Sequence, residues 1–84
     1  MANTRSVPRH HVSKAGKIEF LEDAITCVSI TCVVHELSLA GAAIEASVQS
    51  GIPERFTLAM PDDGLRLPCR VAWRREYQLG VAFE

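Results

Sequence analysis

Arg5 and Arg9 stand four residues apart in the run Arg5-Ser6-Val7-Pro8-Arg9. Pro8 biases Val7 toward extended backbone, so both guanidiniums sit on an extended segment. A guanidinium pairs bidentately with a phosphate or with the O6/N7 edge of guanine, and it also stacks on a base. Two of them on one segment suit a ligand that carries both phosphates and purines. A second group, Glu36-Leu37-Ser38-Leu39-Ala40-Gly41, follows much later in the chain. Its carboxylate and hydroxyl can pair with the N1–H and N2–H₂ of guanine. Gly41 permits either positive φ or close approach of another backbone. The same six residues also read as an ordinary turn, with Ser38 bonding its own backbone and Gly41 present for geometry.

Catalytic chemistry finds little footing. The histidines are His10, His11 and His35, and the chain has no Gly-x-Ser-x-Gly elbow and no His-Glu-x-x-His run. His10-His11 beside arginines reads as a solvated charge cluster, and His35, near a strand end, as a polar rim residue. Asp62-Asp63 lie inside Pro61-Asp62-Asp63-Gly64, where backbone turn chemistry alone favours Asp. Cys27, Cys32 and Cys69 are odd in number and lack Cys-x-x-Cys spacing, which argues against both a disulfide framework and a zinc site. All three sit in apolar stretches and read as reduced core thiols. The expectation is a binding protein with no catalytic residue, no metal and no cofactor.

The elements that must position these residues are strands. A first strand is predicted at about Ala15–Leu21, with a turn at Glu22-Asp23. The next runs from about Thr26 to Glu36. Its Val28, Ile30, Cys32 and Val34 share one face, and Cys27, Ser29, Thr31, Val33 and His35 share the other. That period of two, rich in β-branched residues, marks a half-buried strand. A short strand follows at about Ala42–Ala46, then a loop over Ser47–Glu54. Arg55–Met60 places Phe56, Leu58 and Met60 together, and Pro61–Gly64 turns the chain. Leu65–Arg75 places Leu67, Cys69, Val71 and Trp73 inward and Arg66, Arg70 and Arg74 outward. Leu79–Phe83 closes the series with Leu79, Val81 and Phe83 inward. The alanine-rich Ser38–Ser50 is the one tempting helix, and Gly41, Ile44 and Val48 weaken it. Six short strands at such spacing predict a sandwich or barrel, and a barrel removes exposed edges.

At 84 residues and 48% hydrophobic, the chain has room for one small domain and a surface site rather than an enclosed pocket. Net charge is −1, but it is unevenly spread. Arg5, Arg9, Lys14 and Lys17 occur in residues 1–17 without an acid, and the rest of the chain is acidic. A basic arm on an acidic body is a pattern for capturing an anion. No apolar run reaches membrane-spanning length and no secretory leader is evident, so the expected location is the cytoplasm.

Together the motifs resemble the PilZ domain family: Arg5-x-x-x-Arg9 is similar to its RxxxR, and Glu36-x-Ser38-x-x-Gly41 to its [DN]xSxxG. The later runs GAAIEA, GIPERFTLAMPDDG and CRVAWRREYQLGVAFE resemble the later strands of small single-domain bacterial members. The resemblance implies a six-stranded antiparallel β-barrel over residues 15–84, a flexible basic arm over residues 1–14, and binding of the bacterial second messenger cyclic di-GMP. By that resemblance Arg5 and Arg9 clamp phosphates and guanine edges, and Ser38 and Gly41 help to form the guanine pocket. Glu36 stands where the family has Asp or Asn, one methylene longer. The sequence ends at Glu84, directly after the last strand, without the C-terminal helix of many members. That leaves one barrel opening uncovered, or filled by another copy in a homo-oligomer.

Three readings stay open. In the first, the arm is loose without ligand and folds over cyclic di-GMP, and this ordering is read by an unidentified downstream protein. In the second, the domain is a ligand-blind protein-interaction adaptor, which Glu36 favours. The third is an oligonucleotide-binding barrel. The acidic body and the small set of aromatics, several in core register, count against a nucleic-acid polymer.

Overall fold

The computed structural model describes residues 9–47 and 51–84. Its strands are β1 (His10–Leu21), β2 (Cys27–Leu37), β3 (Gly41–Glu45), β4 (Arg55–Met60), β5 (Leu65–Arg74) and β6 (Gln78–Phe83). All pairings are antiparallel, and they close a barrel in the order β1-β2-β3-β6-β5-β4. Of the alanine-rich Ser38–Ser50, the described residues 38–47 hold β3 and no helix, and residues 48–50 lie outside the described residues. Among the described residues, no helix is long and apolar enough to cross a membrane.

Alternation built this core. Ile18 of β1, Cys32 and Val34 of β2, Ile44 of β3, Leu58 and Met60 of β4, Cys69 of β5, and Leu79 and Val81 of β6 are all buried. Burying one such aliphatic side chain contributes roughly 1.5–3 kcal/mol. Ala46, Ile52 and Phe56 complete the cluster. The turns use short-range polar chemistry. Asp23 Oδ1 accepts from the backbone N–H of Ile25 and Thr26, both at 2.9 Å. Those backbone bonds hold the exposed Asp23 carboxyl below its ordinary value. Pro61–Asp63 forms a short 3-10 turn, and Gly64 leaves it at φ 65°, a left-handed value that glycine takes without strain.

Two expectations need correction. The first strand begins at His10 rather than Ala15, because the end of β2 offers its backbone donors and acceptors to His10 and His11. Val12 packs against the core, so the segment ahead of Ala15 does contribute apolar contact. The cysteines also divide. Cys32 and Cys69 are buried, but Cys27 is exposed at the first position of β2, on the outward-facing set. Burial pushes the Cys32 and Cys69 thiols up to about 11, which keeps them protonated and unreactive near neutral pH. A maleimide reagent near pH 7.5 should therefore add once to the folded protein, at Cys27, and three times in denaturant. Intact mass spectrometry reads the difference, and two or more rapid adducts on the native protein would refute this burial pattern.

Candidate functional site

Register places the second motif on the outer wall of the barrel. His11 pairs with Glu36, Glu36 with Ala43, Ala43 with Gly80, and Gly80 with Trp73. These five residues form one row across β1, β2, β3, β6 and β5, and antiparallel partners share a face. Two irregularities bring the row together. In β2 the pairing slips between Val34 and Glu36, so His35 is the extra residue and Glu36 turns outward. In β5 it slips between Val71 and Trp73, so Ala72 is the extra residue and Trp73 turns outward. A bulge reverses the face of every side chain beyond it. Trp73 is thus 42% exposed, not the core residue that continued alternation predicts.

The outward Trp73 has a seat made for it. A Cβ on Gly80 would stand 2.1 Å from the indole Nε1 and 2.2 Å from Cε2, so only glycine lets the ring lie there. The Arg75 guanidinium sits 5.1 Å from the ring centroid, a cation–π contact. Between Trp73 and Glu36 the row holds only Ala43 and Gly80. The result is a groove of about 250 Å³. Arg9, Glu36 and Ser38 form one bank, Ala72 and Trp73 the other, and Gly41, Ala43, Gly80 and Ala82 lie between them. Four of the five candidate residues, Arg9, Glu36, Ser38 and Gly41, line this one groove. Arg5 lies outside the described residues.

Ser38, Gly41 and Glu36 each have a definite local role. Ser38 Oγ accepts from the N–H of Ala40 at 3.0 Å and of Gly41 at 3.1 Å, and it donates to Gly41 O at 3.3 Å. Its hydrogen-bonding capacity is committed to the turn, so Ser38 shapes the bank through the backbone. The Ser38 N–H bonds Gly41 O at 2.9 Å, closing the loop. Gly41 has no positive φ. Close approach is what requires it, since a Cβ there would stand 2.1 Å from the Val81 carbonyl oxygen. Glu36 keeps its carboxylate toward the groove, 3.8 Å from His11 Nδ1. His35 turns elsewhere and pairs with Glu45 at 2.5 Å. Chemically the groove offers a carboxylate acceptor, an indole wall, a floor without bulky side chains and an arginine at the rim. That set matches the edge and face of a purine and an adjacent phosphate.

A family model, the PilZ domain, matches residues 3–84. The chain belongs to the PilZ domain family. PilZ domains generally bind cyclic di-GMP and are typically binding rather than enzymatic domains. No curated protein matches the chain, and no solved structure does. Within this PilZ barrel, Trp73 is the groove residue that sequence reasoning missed. The signal was present in part: in Trp73-Arg74-Arg75-Glu76-Tyr77, polar residues crowd one short run, and Gly80 stands opposite.

Three outcomes test these roles. Gly41→Ala should lower the melting temperature sharply or prevent folding, because backbone on β6 blocks the added methyl. Ser38→Ala loses turn bonds worth about 0.5–1.5 kcal/mol each and should still fold. Trp73, the single tryptophan, should be readily quenched by acrylamide in the native state. Protection equal to that of a buried indole would return it to the interior.

Proposed function

We propose that this PilZ domain is a cyclic di-GMP receptor. The observation that carries the reading is the gathering of Arg9, Glu36, Ser38 and Gly41, distant in sequence, around one outer-face groove. Glu36 accepts from the N1–H and N2–H₂ of one guanine. The base lies over Ala43, with its edge toward the Trp73 indole that covers Gly80. Arg9 and Arg5 hold phosphate oxygens and the guanine N7/O6 edge. Small-ligand pockets usually span roughly 300–1,000 Å³, so a groove of about 250 Å³ takes part of a dinucleotide and leaves the rest for the arm to cover. The arm closes over the nucleotide, and the closed surface is what a downstream protein reads. Its ordering cost is drawn from the binding energy.

A second reading, the ligand-blind adaptor, draws on Glu36. Its carboxylate is longer than the family's Asp or Asn, has His11 beside it, and adds negative charge next to a dianionic ligand.

Isothermal titration with cyclic di-GMP decides between them. The receptor reading expects saturable heat for the wild type, with Arg9→Ala weakening affinity by about tenfold or more. Glu36→Asp should bind as well as wild type or better. If wild type shows no heat while Glu36→Asp binds, Glu36 has closed the site. No heat from wild type, Arg9→Ala or Glu36→Asp leaves only the adaptor. Truncation should stop at Arg9, since Val12 belongs to the packed barrel.

A further inference from the structure

A second outer-face row runs parallel to the one that carries Glu36 and Trp73. Gly41 pairs with Ala82, Ala82 with Arg70, and Arg70 with Arg55. Gly41 and Ala82 both line the groove. Arg70 therefore rises from the next strand directly beside the floor, on the bank that also carries Ala72 and Trp73. Neighbouring strands lie about 4.8 Å apart. Side chains from β5 and from the end of β1 can therefore reach a single ligand lying across β3 and β6.

The other arginines around Arg70 are committed. Arg55 Nε lies 3.4 Å from Glu84, and Arg66 lies 2.6 Å from Glu19. Arg74 donates to the Ile52 carbonyl at 2.9 Å, and Arg75 covers Trp73. Arg70 is exposed, and among the described residues its side chain has no ion pair and no hydrogen bond. It also stands directly opposite Arg55. Like charges facing each other across strands destabilise a sheet. An unengaged guanidinium kept beside a second one, next to a groove, favours an anion at that point.

We propose that Arg70 is a second phosphate contact, on the bank opposite Arg9. This rests on the reading of the groove as a cyclic di-GMP site. That ligand carries its two phosphates on opposite sides of one ring, so a guanidinium on each bank meets both. Arg9 comes from the β1 side and Arg70 from β5, and the ligand spans the β3–β6 floor between them. A role in stability alone makes the opposite demand. A structural Arg70 would lower the melting temperature when removed, whereas a ligand contact opposed by Arg55 would not.

The experiment compares wild type, Arg9→Ala and Arg70→Ala by titration with cyclic di-GMP at several salt concentrations. The expectation for Arg70→Ala is an unliganded melting temperature equal to or above wild type. Its affinity should fall about tenfold, with a flatter dependence of Kd on salt, because one phosphate contact is lost. Unchanged affinity in Arg70→Ala alongside a loss in Arg9→Ala overturns the Arg70 assignment and leaves the receptor reading standing. A lowered melting temperature with an unaltered salt dependence likewise makes Arg70 structural and overturns it. If wild type itself fails to bind, both fall together.

Discussion

The pairing of β3 with β6 is the interaction on which the rest depends. All five residues of β3 pair with β6, from Gly41 opposite Ala82 to Glu45 opposite Gln78. Without that seam the chain would be one open sheet in the order β3-β2-β1-β4-β5-β6, with β3 and β6 as exposed edges. The seam tolerates little bulk. Gly41 lies so close to Val81 that a methyl group has no room, and Gly80 gives its Cβ space to the Trp73 ring. The glycines that let the barrel close are also the floor of the groove. Barrel closure and a groove floor of small residues are therefore one structural requirement.

Around this floor, bulges do the work of aiming. Regular alternation would carry Glu36 and Trp73 inward, a carboxylate into apolar surroundings and an indole into an already filled core. Burying an unpaired carboxylate is costly. One extra residue in each of β2 and β5 removes that conflict and delivers both side chains to the same outer row. Bulges are common beside binding sites for this reason. The interior gives up nothing, since Val34, Ile44, Leu79 and Val81 pack beneath the row.

Electrostatics then divides the groove. One bank carries Arg9 at its rim, with His11 close to the Glu36 carboxylate. The other carries Trp73 under Arg75, with Arg70 alongside. A lone carboxylate between cationic banks suits a ligand that pairs purine donors with flanking phosphates, and it disfavours simple anions, which Glu36 repels. Such sites gain selectivity from geometry, because each charge must meet its complement without shifting the backbone.

Much of this was legible in the chain itself. The period of two in Val28–Val34 and in Phe56–Met60 determined which faces are buried, since apolar burial acts locally on every second residue. The turn at Pro61–Gly64 and the six-strand count were equally local. The resemblance of the motifs around Arg9 and Ser38-x-x-Gly41 to those of the family implied a pocket on the barrel surface, and these residues line the groove. The start of β1 and the fate of Trp73 were not legible. Each depends on what stands in a neighbouring strand: β2 recruits His10 and His11 by pairing, and a slip against β6 turns Trp73 over Gly80. The choice between positive φ and close approach at Gly41 was likewise settled by Val81, forty residues away. The sequence by itself determined strand identity and the buried faces, because both follow from the solvation of near neighbours. Only the tertiary structure decided which side chains meet at the groove, because register and bulges are set between strands.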